Sequence, residues 1–174
     1  MRRDIQNVDD DIARKKRKIE QILYSDPDII EVLDNPDLDP SCPEEYVHNN
    51  IFGFLRIPGT QDVTKNFITF TVDDVELSPN NRVMKSQFVQ FVVFVHKDSI
   101  DTAYGMYRHD LLAYLIRDIF NWSNLFGLQF KLITNKESTI DSDYYCRTLQ
   151  FKAEKPNMLN KARMDSPYDK YGRR

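Results

Sequence analysis

The most apolar stretch of the chain reads QFVQFVVFVH and occupies residues 87–96. Phenylalanine and valine fill both odd and even positions of this stretch. Because successive side chains of a strand point to opposite faces, such a strand has no face in water. The pattern therefore predicts a central strand covered on both sides. A broad apolar stripe over residues 106–122 predicts the long helix that covers its second face.

Helical spacing of apolar residues predicts two further helices near the start of the chain. The first spans residues 9–24, with acids in its first turn and bases after them, as the helix dipole favours. The second begins after an Asp-Pro cap at residues 26–27 and ends before residue 35. After a proline-rich connector, residues 44–50 are expected to form one or two helical turns.

Alternating and β-branched patterns predict the remaining strands. They span residues 52–57, 66–75, 128–132 and 145–151, and a polar loop is expected over residues 135–143. The order of these elements predicts an α+β fold: a mixed four- to five-stranded sheet with the long helix packed on one face. The N-terminal helices are expected nearby or on the other face.

One domain is expected over residues 1–155, in which residues 1–44 form a helical, acidic N-terminal part. Residues 156–174 lack apolar periodicity, which predicts an extended, basic C-terminal tail that is ordered only by a neighbour. No apolar run of 18 residues and no secretory signal are found, so we expect a soluble protein made in a cytoplasm, with no membrane contact.

Charge is distributed in zones along the chain, although the net charge is only −3. Residues 14–18 are all basic, residues 26–45 carry eight acids and no base, and residues 152–174 carry seven bases and three acids. The small net charge and a pI near 5.6 argue against a general nucleic-acid coat. The basic run 14–18 fits a solvated helix end, or alternatively a nucleic-acid contact.

Neither catalysis nor a bound metal or cofactor is expected. Three polar residues follow one another in Arg108-His109-Asp110, but adjacent side chains on a helix diverge by about 100° and do not face one another. This triplet fits a solvated or inter-subunit helix face. The three histidines and the distant Cys42 and Cys146 have no metal-ligand spacing, and both cysteines are expected to be free thiols.

The stretch VMKSQFVQFVVFVHKDSIDTAYGMYRHDLLAYLIRDIFNWSNLFG, followed by SDYYCRTLQFK, resembles the tail terminator proteins of long-tailed bacteriophages, also called tail-completion or head-tail joining proteins. In that family a strong central strand precedes a helix start of the form Tyr-Gly-x-x-Arg, here residues 104–108. A closing strand of the form Tyr-x-x-Arg-x-Leu-x-Phe follows, here residues 144–151. The resemblance covers residues 45–155.

The resemblance implies a structural virion protein that forms a hexameric ring at the head-proximal end of the tail tube. Such a ring stops tail growth and joins the tail to the neck, while DNA passes through its centre without sequence-specific binding. The implied partners are other copies of the chain, the tail tube protein and a head-closure or neck connector protein. The alternatives are another connector ring, such as a head-closure or adaptor protein, or a nucleic-acid-binding module.

Subunits of a closed ring meet through different surfaces, so the ends of helices and strands are natural contacts. Candidates for contact with other subunits or partners are His96, Lys97, Asp98, Tyr104, Arg108, Arg147, Tyr168 and Tyr171. An acidic lumen would repel DNA and let it slide. The candidates for the lumen are Asp34, Asp37 and Asp39.

Overall fold

Five strands form one mixed sheet in the part of the chain that the computed structural model describes, residues 11–59, 66–76, 84–124, 126–140 and 142–156. The strands are β1 (Ile51–Phe52), β2 (Asn66–Glu76), β3 (Met84–His96), β4 (Lys131–Thr139) and β5 (Tyr144–Pro156). Their order across the sheet is β1-β2-β3-β5-β4. β1 runs parallel to β2 and the other pairs are antiparallel, which confirms the predicted mixed sheet.

β3 is the central strand, as its apolar run predicts. It pairs with β2 on one side and, over its full length from Met84 to His96, with β5 on the other. Its side chains alternate between the two faces of the sheet. Phe91 and Val93 belong to the main core, whereas Val92 and Phe94 belong to a smaller cluster on the opposite face.

Three α-helices in the described residues pack on the same face of the sheet: α1 (Asp11–Ser25), α2 (Pro27–Leu33) and α3 (Arg108–Phe120). The N-terminal helices therefore lie beside α3, and not on the other face. Their buried residues meet the sheet in one core cluster. The helical members of this cluster include Ile19, Leu23, Ile29, Leu33, Leu112, Ile116 and Phe120.

The predicted start of α2 is confirmed. Asp26 is the N-cap residue, and its side chain accepts hydrogen bonds from the backbone N–H groups of Asp28 (3.0 Å) and Ile29 (3.2 Å). Pro27 occupies the first turn, where its missing N–H costs nothing. The helix ends at Leu33 because Asp34 adopts the left-handed conformation, with φ of 49°.

α3 is shorter than the helix predicted over residues 106–122. Tyr107 is the N-cap with an extended backbone, and a β-bridge holds it against Asp101, so the helix begins at Arg108. Asn121 is extended and Trp122 is left-handed, with φ of 61°, so the helix ends at Phe120. The expected packing on the sheet is nevertheless found, since the Phe120 ring lies 4.8 Å from that of Phe91.

The two edge strands differ most from the predictions. The strand predicted over residues 52–57 is reduced to β1, because the chain leaves β2 at Gly53. A Cβ atom at Gly53 would lie 2.6 Å from Oε1 of Glu20. The strand predicted over residues 128–132 is displaced to β4, which runs through the predicted loop. β4 is an edge strand whose backbone pairs with β5, so its side chains can stay polar and exposed.

The helical turn after the connector is a 3₁₀ helix at Pro43–Tyr46. Cys42 and Cys146 are both free, as predicted. The predicted tail over residues 156–174 lies, apart from Pro156, outside the described residues. None of the described helices has the length and apolar character needed to cross a membrane.

A polar network closes one end of the sheet beneath α1. The carboxylate of Asp74 accepts hydrogen bonds from Gln87 (2.7 Å) and Lys85, and Nζ of Lys155 lies 3.1 Å away. Lys15 of α1 donates to Gln87, which is fully buried, and so connects the helix to β3. Burial acts to raise the pKa of Asp74, but the bonds from Lys85, Lys155 and Gln87 outweigh it and hold the pKa below its ordinary value.

We expect Asp74→Asn to lower the free energy of unfolding by about 1–3 kcal/mol at pH 7, because charge-assisted hydrogen bonds are lost. The folded-state pKa of Asp74 is depressed, so its contribution is present above the unfolded pKa of about 3.9 and is lost as the pH falls through the lower folded-state pKa. Urea unfolding at pH 7 and pH 3 should show a smaller loss at pH 3. Asp73→Asn, on the opposite face, is the matched control, and an Asp74→Asn loss that is as large at pH 3 would contradict the prediction.

Candidate functional site

Three predicted contact residues form the turn that ends β3. His96 caps a 3₁₀ helix at Lys97–Ser99, and its Nδ1 accepts a hydrogen bond from the backbone N–H of Asp98 (3.3 Å). Lys97 reaches across to Asp143, where its Nζ lies 2.5 Å from Oδ1. The hydrogen bond and the charge of Lys97 lower the pKa of Asp143. Lys97 and Asp98 are exposed, so this turn presents charge at one end of the sheet.

Arg108 lies inside the subunit, and not on the exposed helix face that its sequence context suggests. Its guanidinium donates to the carbonyls of Val32 (2.6 Å), Ser99 (2.6 Å) and Asp101 (3.3 Å). It also pairs with the carboxylate of Asp34 at 2.9 Å. The side chain of Arg108 is only 10% exposed, so it joins the end of α2 to the start of α3.

Arg147 belongs to a second cluster, at the surface where α3 meets β4 and β5. Its guanidinium bonds Asp110 and donates to Oδ1 of Asn135 (2.8 Å), and Oε2 of Glu137 lies 3.8 Å away. His109 lies beside them with only 2% of its side chain exposed, and its Nε2 is 3.4 Å from Oε1 of Glu137. Nε2 of His109 also lies 3.7 Å from Oδ1 of Asp110, so these two adjacent side chains approach each other although they were expected to diverge on the helix.

His109 is held by stacking rather than by hydrogen bonds. Its ring is stacked with those of Tyr107 (6.0 Å between centroids, 10° between planes) and Tyr145 (6.2 Å, 19°). Neither ring nitrogen has a hydrogen-bond partner. An aromatic stack of this kind accounts for the burial of the ring without assigning it a chemical task.

Tyr104 lies on the loop before α3, and its hydroxyl donates to the carboxylate of Glu31 on α2. This hydrogen bond, followed by the charge of Glu31, raises the pKa of Tyr104. Tyr104 and Glu31 border a groove between α2 and α3 that has apolar side chains at its floor. Tyr104 is therefore a predicted contact residue that lines a groove.

The three lumen candidates have different environments. Asp34 is 62% exposed and pairs with Arg108. Asp37 and Asp39 are exposed in the connector after α2. Oδ1 of Asp39 accepts a hydrogen bond from the backbone N–H of Ser41 (2.9 Å), and this bond, together with the Ser41 side chain, lowers the pKa of Asp39. Tyr168 and Tyr171, the remaining contact candidates, lie outside the described residues.

Sequence reasoning missed an exposed apolar segment next to β1. Phe54, Leu55 and Ile57 are 49%, 59% and 71% exposed. The prediction of a strand over residues 52–57 was based on the apolar composition of this segment, but it placed these residues in the sheet. Pro58-Gly59, which directly follows, was taken as the turn that closes this strand. Contiguous exposed apolar residues of this kind mark interaction surfaces.

No group of three or more His, Cys, Asp or Glu side chains within the described ranges is arranged to hold a metal ion. The charged side chains that converge in the clusters above contact one another. The arrangement can hold α2, α3 and the sheet together and can present charged turns and apolar segments to a partner.

Fold and surfaces define an α+β protein whose helices cover one face of a mixed sheet. The chain belongs to the YomW family, whose model matches residues 21–153. This family is derived from phage. No curated protein matches the chain.

Sixteen chains of solved structures match. One of them belongs to a structure described as "Virion of native gene transfer agent (GTA) particle". It is 13% identical, with 72% of this chain and 92% of that chain covered, and the TM-score is 0.39. A similarity of this size carries no argument about the present chain.

Proposed function

We propose that the protein is a structural component of a phage virion. In this proposal it forms a ring at the head-proximal end of the tail tube, terminates tail growth and joins the tail to the neck, with DNA passing through the ring. The phage origin of the family supports the first part, and the resemblance of residues 45–155 to tail terminators supports the second. The role is mechanical, and we propose no reaction for it.

The observation that carries the proposal is a helix packed on a mixed sheet whose central strand is buried on both faces. A ring subunit needs a stiff sheet, because its edges and turns must stay in register with two neighbours. β3 supplies this stiffness, since it is hydrogen bonded on both sides. Head-closure rings tend to be small barrels, so α3 on an open sheet favours a tail terminator over that alternative.

The exposed segment Phe54–Ile57 and the edge strand β4 are the surfaces we assign to contacts between subunits. They lie at opposite edges of the sheet, because β1 begins one side and β4 ends the other. A head-to-tail ring needs two different surfaces on each subunit, and two opposite edges meet that need. The turn at His96, Lys97 and Asp98 adds charge at one end of the sheet.

Electron microscopy tests the proposed function. The purified full chain, alone and mixed with tail tube protein, is expected to form rings with six-fold symmetry in negative stain. A phage that lacks the gene is expected to make tails of abnormal length that do not join heads. Normal tails in that phage would contradict the proposal, as would a purified chain that stays monomeric at high concentration even with tube protein present.

A further inference from the structure

A groove of about 240 Å³ lies between α2 and α3. Apolar side chains of Val32, Leu111 and Leu115 line its floor, and the carboxylates of Asp28 and Glu31 form one rim. Tyr104 borders the groove as well, and its hydroxyl is bonded to Glu31. The groove therefore combines an apolar floor with an acidic rim.

The dimensions and charge of the groove indicate the chemistry of its occupant. Small-molecule sites usually enclose about 300–1,000 Å³, so a smaller groove suits one large side chain of a peptide. The described residues that line the groove include two acids, Asp28 and Glu31, and no base. Arg108, which reaches the end of α2 from α3, already pairs with Asp34. An aromatic or aliphatic side chain would pack on the apolar floor, and flanking Lys or Arg residues would pair with the acidic rim.

Residues 157–174 have this composition. They contain five Lys or Arg residues and two Asp residues. Aromatic and aliphatic side chains are interleaved with these charges, namely Met158, Leu159, Met164, Tyr168 and Tyr171. We propose that the groove between α2 and α3 binds residues 157–174 of a neighbouring copy of the chain, with a tyrosine as the anchor. This inference rests on the proposed function in that it requires the chain to self-assemble.

The direction of β5 favours binding of residues 157–174 from a neighbouring copy over binding of the same residues from the same chain. Arg147 of β5 contacts Asp110 in the first turn of α3. Pro156, where β5 ends, lies nine residues further along, which is about 30 Å at the rise of a strand. Pro156 pairs with Met84, whereas Tyr144 pairs with His96, so β5 ends at the end of the sheet opposite the turn at His96 that leads to the loop of Tyr104.

Cross-linking of the full chain tests which copy supplies the segment. Equal amounts of ¹⁴N- and ¹⁵N-labelled chain are mixed, treated with a carbodiimide that joins carboxylates to amines, and digested for mass spectrometry. We expect pairs that join Asp28 or Glu31 to Lys161 or Lys170 and that combine one labelled and one unlabelled peptide. Pairs from a single isotope alone would overturn the proposal in favour of the chain's own segment. Equal yields of cross-links at Asp37 and Asp39 would overturn the proposal, because they would indicate unspecific attraction between acidic and basic residues.

Charge reversal supplies an independent measurement on the same full chain. Asp28→Lys combined with Glu31→Lys is expected to weaken self-association at least tenfold in analytical ultracentrifugation at low salt. Asp37→Lys combined with Asp39→Lys, two exposed acids of the same zone outside the groove, is expected to change it less than twofold. Equal effects of the two pairs would contradict the inference. Circular dichroism verifies that each variant folds, and Asp28→Asn with Glu31→Gln should give a smaller effect of the same sign.

The two proposals fail in different ways. If rings form and contain no cross-links from the groove, the docking inference is wrong and the proposed function stands. If cross-links between copies reach the groove but no ring or tail defect is found, the docking inference stands and the proposed function is wrong.

Discussion

Replacing Arg108 with leucine is expected to lower the free energy of unfolding by about 3 kcal/mol. The buried carbonyl of Val32 and the partly buried carbonyl of Ser99 each receive a hydrogen bond of 2.6 Å from the guanidinium, and both lose it in the variant. An unsatisfied buried acceptor costs about 1–3 kcal/mol, so the Val32 carbonyl accounts for most of the effect and the Ser99 carbonyl adds a smaller part. The ion pair with Asp34 adds little, because that carboxylate is 62% exposed and screened by solvent.

Urea unfolding of the full chain measures this loss, with Arg117→Leu as the control. Arg117 lies on the same helix, is exposed, and holds its guanidinium 5.3 Å from the ring of Tyr114. Its replacement is expected to change the free energy of unfolding by less than about 0.5 kcal/mol. Arg108→Lys should recover only part of the loss, since an ammonium group lacks the fork that reaches several acceptors. Similar values for the two leucine variants would show that Arg108 does not hold α2 to α3.

The position of Arg108 also shows why the sequence alone could not assign it. Its acceptor Val32 lies 76 residues away in the chain, and its ion-pair partner Asp34 lies 74 residues away. Periodicity reports which side of a helix is apolar, but it does not report which distant carbonyl a long side chain meets. A polar residue at the start of a helix is therefore predicted to be exposed to solvent, although it can equally be a buried residue that joins two helices through hydrogen bonds.

Sequence patterns predicted well the elements whose own side chains decide their environment. The run of residues 87–96 places apolar groups on both faces, and β3 is buried on both faces. Asp26 and Pro27 carry the capping chemistry of α2 locally, so the start of that helix was predicted correctly. In each case the signal and the structure involve the same few neighbouring residues.

β4 was missed for the opposite reason. The residues of this strand are mostly exposed, so their side chains resemble those of a loop. The strand exists because the backbone of β5 offers hydrogen-bonding groups along its free edge, which local composition does not reveal. Trp122 is a similar case, because its backbone is left-handed where the chain leaves α3. Large aromatic residues seldom adopt this conformation.

The acidic residues of the zone 26–45 have different roles in the structure. Asp26 caps α2, Asp34 pairs with Arg108, and Asp39 closes a turn with Ser41. Asp28 and Glu31 border the groove between α2 and α3. A count of acids treats these residues as one surface, whereas only some of them are available to a partner or to a lumen.

The central strand leads to a second large effect, at Phe91. This side chain is fully buried, and its ring lies 4.8 Å from that of Phe120 and 5.8 Å from those of Phe70 and Phe151. Phe91→Ala is expected to lower the free energy of unfolding by about 3–5 kcal/mol, because it removes apolar contact and leaves a cavity between α3 and the sheet. A domain of ordinary stability has only about 5–15 kcal/mol in total. The variant is therefore expected to assemble poorly because the subunit unfolds, even though Phe91 touches no subunit surface.

Phe88→Ala is the matched control, since it removes the same ring from the opposite face of the same strand. Phe88 is only half-buried and is paired across the sheet with Asp73 and Lys152, so we expect a loss of about 1 kcal/mol. Urea unfolding of both variants at low concentration separates subunit stability from assembly. A loss at Phe88 as large as that at Phe91 would contradict the prediction that the helix-covered core around Phe91 contributes more to stability than the half-buried site of Phe88.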